Sequence, residues 1–133
     1  MKSNDLVVSL FYLLGVHAQA HAQPATELLR NQKLFQLKCA ACHSVACNRA
    51  GPKLDGVIGR RAGSVADFKS YTAALKESGI FWSEEAIDAF LRDPEKAIPG
   101  TSMTFPGPIQ SSKERQSIIA HIRRQDRSID LCL

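Results

Sequence analysis

The chain is poor in aromatic residues, which make up 7 % of it, and it holds only two methionines. Long alternating apolar–polar runs, the mark of half-buried strands, are absent, which excludes a fold built mainly on sheets. No β-α-β pattern accompanies the one C-x-x-C pair, so a thioredoxin-like dithiol is disfavoured. A second C-x-x-C is missing too. Cys47 and Cys132 stand apart, so the two paired knuckles of a structural zinc site are not there. There is no internal repeat and no low-complexity segment. No apolar run reaches the roughly 20 residues that a membrane-spanning helix needs.

What the chain does have is Cys39-Ala40-Ala41-Cys42-His43. C-x-x-C-H is the pattern at which haem is attached covalently. The spacing follows from the chemistry. Two thiols on one helical turn can add to the two vinyl groups of one haem, and the next residue brings an imidazole to the iron. In a chain with this content of Cys and His, chance produces such a pentad only roughly 0.4 % of the time, so it is read as chemistry. One small domain is expected from 133 residues. A haem would give its few aromatic residues a large flat apolar surface to pack on, and the chain without haem is expected to fold poorly.

The first 22 residues are expected to lie outside that domain. Lys2 is followed by an apolar run from Leu6 to Val16, and Ala18-Gln19-Ala20 and Ala20-His21-Ala22 are small-x-small cleavage patterns. Residues 1–22 therefore read as a secretory signal peptide, and 23–133 as the mature domain with a core of about 27–125. An uncleaved N-terminal anchor is the alternative. Export suits the haem reading, because c-type haem is attached outside the bacterial inner membrane. The formal charge of +4 survives cleavage, since Lys2 and Asp5 leave together.

Helical signals run through the rest of the chain, and the expected class is all-α. Thr26 is placed to cap a first helix carrying Leu28, Leu34, Phe35 and Leu37 into Cys39. Residues 44–63 read as a long loop, which needs a reason in a compact domain, and wrapping a haem edge is one. Thr72 to Ser78 reads as a short helix stopped by Gly79. Ser83-Glu84-Glu85 opens another, ended by Asp93-Pro94. Residues 98–108 form a Pro/Gly-rich loop around Met103. Ser111 to Glu114 is a capping box for a last helix with Ile118, Ile119 and Ile122 on one face and Arg123, Arg124 and Arg127 near its end.

Alone, a methionine in such a loop reads as packing filler. Beside a haem motif, Met103 becomes the candidate sixth ligand, because a soft thioether stabilises reduced iron. His121, on the last helix among isoleucines, reads as a packed side chain rather than a ligand. Tyr71 and Trp82 taken singly are core aromatics, and Arg60 and Arg61 solvated charges.

Together these motifs give more. The haem pentad, Gly51-Pro52-Lys53-Leu54-Asp55-Gly56-Val57-Ile58-Gly59-Arg60, Tyr71-Thr72, Gly79-Ile80-Phe81-Trp82 and Ile98-Pro99-Gly100-Thr101-Ser102-Met103-Thr104-Phe105 occur in the order and spacing of class I cytochrome c. The chain resembles the cytochrome c2 and mitochondrial branch of that family over Glu27 to Arg124. The resemblance implies a small single-haem fold, with N- and C-terminal helices crossing and loops around the haem. It implies one covalent haem c on Cys39 and Cys42, with His43 and Met103 on the iron and Pro52 accepting from His43. It also implies that Tyr71, Trp82, Arg60 and Thr101 surround a propionate, and that Phe105 closes the haem face.

Departures from the family accompany the match. Asn31 stands where the family carries a helix-crossing Gly, and His121 where it carries the partner aromatic. Phe90 replaces a Tyr whose hydroxyl would reach the Met103 sulfur, and Leu75 replaces a propionate-side Asn. Cys47 and Cys132 are not family features. They are free thiols, or they pair with each other or across chains.

The expected function is a soluble periplasmic electron carrier and not an enzyme, since two filled axial positions leave no site for a substrate. Implied partners are a cytochrome bc1-type complex, a terminal oxidase or a photosynthetic reaction centre. Docking is expected to be weak and salt-sensitive, through Lys33, Lys38, Lys53 and Lys96, with Ser102 and Glu95 at positions often held by Lys. Nucleic acid is not expected as a partner, and a monomer is. The competing readings are a haem sensor or peroxidase-like protein with a labile Met ligand, and a cytochrome subunit of a larger redox complex.

Overall fold

The computed structural model describes residues 25–124 and Cys132. The expected signal peptide, residues 1–22, and Arg127 lie outside the described residues. Among the described residues five helices follow one another: α1 (Ala25–Lys38), α2 (Ala73–Glu77), α3 (Glu84–Arg92), α4 (Pro94–Ala97) and α5 (Ser112–Arg123). Among the described residues there is no strand, only one isolated bridge between Arg61 and Phe81. Helix α1 crosses α5, and α3 packs on α5 beside them.

Caps set most of the boundaries. The Thr72, Ser83 and Ser111 side chains accept the N–H groups of Leu75, Ala86 and Glu114, opening α2, α3 and α5 where the sequence expects them. Three expectations need correction. Thr26 lies inside α1 rather than capping it. Asp93-Pro94 ends α3 but also opens α4: Asp93 accepts from Lys96 N–H, and Pro94 takes the first helical turn, where its missing N–H costs nothing. The capping box is half formed. Glu114 does not return to the Ser111 N–H; its carboxylate pairs with Lys38 of α1 at 3.3 Å.

The terminal crossing is built on Phe35, whose ring lies 4.6 Å from that of His121 at a 33° tilt. Ile118, Ile119 and Ile122 are all buried on one face of α5, as the pattern requires. Leu37, by contrast, is 66 % exposed on the outer side of α1. Asn31 is 2 % exposed in the crossing, and neither end of its amide has a hydrogen-bond partner among the described residues. An unsatisfied buried polar group costs about 1–3 kcal/mol. Asn31→Ala is therefore expected to raise stability by about 1 kcal/mol, once lost packing is set against restored polar balance and better helix propensity. A denaturant midpoint compared with that of the parent chain checks it.

The apolar face of α5 also carries a buried cation. Arg115 is 5 % exposed. Its Nε donates to Asp88 Oδ1 of α3 at 2.7 Å, and its Nη1 donates to the carbonyls of Ile109 and Gln110 at 2.8 and 2.9 Å. The Arg115 guanidinium holds the Asp88 carboxyl below the ordinary carboxylate value, against the opposing effect of partial burial.

Cys47 and Cys132 are joined in a disulfide, with Cα atoms 5.8 Å apart. This settles the choice left open between free thiols and pairing. The bond fastens Cys132 to the loop that follows the haem pentad.

Candidate haem site

The turn of α1 does not stop at Lys38. Cys39 N–H donates to Phe35 O at 2.8 Å, and His43 N–H to Cys39 O at 2.8 Å, so one more helical turn runs through the pentad. That turn sets Cys39, Cys42 and His43 at i, i+3 and i+4, on one face. All three line a cavity of about 480 Å³. Cys39 and Cys42 carry free thiols. Burial pushes the Cys39 thiol up to about 12, with Lys38 pulling the other way.

The loop beyond is stitched back onto this turn. Gly51 N–H donates to Cys42 O at 2.7 Å, and Leu54 and Asp55 N–H donate to Ser44 O and Val45 O at 2.9 and 2.8 Å. The loop thereby places the Pro52 carbonyl 2.8 Å from His43 Nδ1, which donates to it. The Nε2 lone pair is then the ring's remaining donor of electrons to a metal. Burial lowers the His43 pKa from its ordinary value, and the Pro52 bond opposes that less strongly. A neutral imidazole, fixed in tautomer, is the form a metal binds.

Gly51 lets the ring lie there. A Cβ on it would overlap the His43 ring, falling 2.7 Å from both ring nitrogens. Gly51→Ala is therefore expected to drive the ring off and break its bond to Pro52. The expected cost is about 2–3 kcal/mol, from overpacking plus one hydrogen bond. Thermal unfolding of the haem-loaded protein measures the loss, and an unchanged midpoint would place the ring elsewhere.

Trp82, Phe90, Leu91, Leu75 and Ile118 line the apolar part of the cavity. Trp82 meets Phe90 edge-on at 5.2 Å. Phe90 is buried and brings no hydroxyl toward Met103. Arg60 and Tyr71 are on the cavity wall. Arg60 is tied to the backbone, donating to Asp55 O at 2.7 Å and Lys53 O at 2.9 Å. Desolvation lowers its pKa, and the nearby Tyr71 and Asp55 oppose that. Burial also pushes the Tyr71 phenol up.

Met103 is half-buried and lines the cavity, with its N–H donating to Thr101 Oγ1 at 3.3 Å. Thr101 is buried but lies outside the cavity lining; its hydroxyl serves the backbone of Met103. Phe105 lines the cavity and is 59 % exposed. Phe68, packed edge-on against Tyr71 at 4.8 Å, also lines the cavity, which the sequence does not signal through any motif. It is an isolated aromatic in an irregular stretch, and isolation was its only signal.

The donor set fits a covalent haem: two free thiols, an oriented imidazole, a thioether, apolar walls and an arginine held on the cavity wall by backbone carbonyls. The comparisons agree. The cytochrome c family model matches residues 29–126. Cytochrome c2 of Blastochloris viridis is 38 % identical over 122 residues, covering 90 % of this chain and 91 % of that protein. Cytochrome c of Guizotia abyssinica is 38 % identical over 103 residues, covering 75 % of this chain and 91 % of that protein. The solved structure of cytochrome cH from Methylobacterium extorquens superposes with a TM-score of 0.67 at 40 % identity, covering 73 % of this chain and 97 % of that one. The chain belongs to the cytochrome c family, with the class I helical fold, a covalently attached haem c and the family's task of carrying electrons.

Proposed function

We propose that the protein is a periplasmic one-electron shuttle whose haem is held by Cys39 and Cys42 through thioether bonds and ligated by His43 and Met103. The observation that carries this reading is the convergence of these four side chains on one cavity, with the His43 Nδ1 already committed to Pro52. The bound group supplies a ferrous–ferric couple. Pro52 fixes the imidazole and raises its basicity. Met103 supplies the soft ligand that favours the reduced state. Arg60, Tyr71 and Trp82 offer a cation and two polar hydrogens to a propionate, which offsets the cost of burying its charge.

A membrane complex of the bc1 type, a terminal oxidase or a photosynthetic reaction centre suits such a carrier as donor or acceptor. Among the described residues, no helix is long and apolar enough to cross a membrane. Of the docking lysines, Lys38 and Lys53 are paired with Glu114 and Asp67, at 3.3 and 3.0 Å. Exposed pairs of this kind contribute at most about 1 kcal/mol and are screened by salt, so docking rests on few free cations and is weak.

The test is a spectrum and a potentiometric titration of the haem-loaded protein. The shuttle requires the red-region absorption of sulfur-ligated ferric iron and a single one-electron wave on the positive side. Absence of that absorption favours the second reading, a sensor or peroxidase-like protein with an open distal position. The buried Phe90, whose ring has no hydroxyl to offer the Met103 sulfur, is the observation behind it.

A further inference from the structure

We propose that Arg115 is a positioning residue for Met103, acting through the far end of the Met103 loop; this rests on the reading of Met103 as an iron ligand. The loop runs between the end of α4 at Ile98 and the Ser111 cap of α5. Its near side is held by several short bonds. Gly100 N–H donates to Glu95 Oε1, Thr101 N–H to Ile98 O and Met103 N–H to Thr101 Oγ1.

Beyond Thr104 the situation changes. Pro106 and Pro108 have no N–H, and from Phe105 to Pro108 the backbone makes no hydrogen bond among the described residues. The next fixed point is Ile109, whose N–H donates to Leu91 O at 2.9 Å. Arg115 completes that point by donating to the Ile109 and Gln110 carbonyls, while Asp88 of α3 holds the guanidinium from behind at 2.7 Å. The span carrying Met103 is thus fixed at Thr101 on one side and at the Arg115 carbonyl contacts on the other.

The guanidinium geometry matters. Nε and Nη1 donate in two directions from one rigid plane, to a carboxylate on one side and two carbonyls on the other. A lysine keeps the charge but presents a single point and cannot serve both sides. Without the guanidinium, the two carbonyls lose their partner, and the loop is released at the end nearer α5. Met103 then leaves the iron more often, although the core of the protein stays folded.

The experiment uses ferric haem-loaded protein and added imidazole, which competes for the position that Met103 vacates. Apparent affinity for imidazole scales with the fraction of molecules in which that position is open. Arg115→Leu and Arg115→Lys are both expected to bind imidazole about tenfold more tightly than the parent. Ile119→Ala, buried on α5 but outside the cavity lining, serves as a control that lowers global stability. It is expected to leave imidazole affinity unchanged. Parent-like affinity in the Arg115→Lys protein overturns the proposal, as does an equal change in the Ile119→Ala protein. A parent protein without the sulfur–iron absorption overturns the Met103 ligation itself, and that outcome is distinct from both.

Discussion

The Cys47→Ser/Cys132→Ser protein, loaded with haem, is expected to be about 4.5 kcal/mol less stable than the parent and to melt roughly 20 °C lower. The bond joins residues 85 positions apart, so it closes a loop containing α2 to α5 and the whole Met103 segment. The entropy that such a loop removes from the unfolded chain grows with its length, and this one is long. The haem linkages at Cys39 and Cys42 do not substitute for it, because they lie outside that loop. Thiol labelling of the denatured parent tests the premise: no site reacts before reduction, and two react after it. A stability loss below about 1 kcal/mol would mean that the bond constrains little of the unfolded chain.

Met103→Ala is expected to lower the midpoint potential by on the order of 0.2 V, a quarter of the roughly 0.8 V range that axial ligation spans. The thioether donates weakly and favours ferrous iron, so its loss leaves water or a harder ligand, which favours ferric iron. The change should be visible first in the spectrum, as loss of the sulfur–iron absorption, and then in the titration. Far-ultraviolet circular dichroism should stay close to the parent's, since Met103 is only half-buried and the helices pack without it. A potential within a few hundredths of a volt of the parent would remove Met103 from the iron.

Local features of this chain were legible, and long-range ones less so. The pentad, the Ser83 and Ser111 caps and the Met103 loop follow from neighbouring residues, and the structure places them as expected. Helix α4 was not legible because Pro94 both terminates one helix and begins the next. Glu114 was expected to return to its own helix end, but Lys38 stands closer to its carboxylate in the folded chain. Asn31 and Arg115 share a sequence signature. Each is a polar residue on an apolar stripe, Asn31 four before Phe35 and Arg115 three before Ile118, and such a position forecasts burial. The pairing of Cys47 with Cys132 carries no such mark, since it depends on how 85 residues of chain close.

The most direct measurement is the intact mass of the chain after expression with a haem-maturation system, together with its alkaline pyridine spectrum. A chain that holds haem at Cys39 and Cys42 gives the polypeptide plus one haem, retained through denaturation, with the haemochrome spectrum of a porphyrin linked at both former vinyl groups. A colourless product of bare polypeptide mass, with Cys39 and Cys42 open to alkylation, would contradict it.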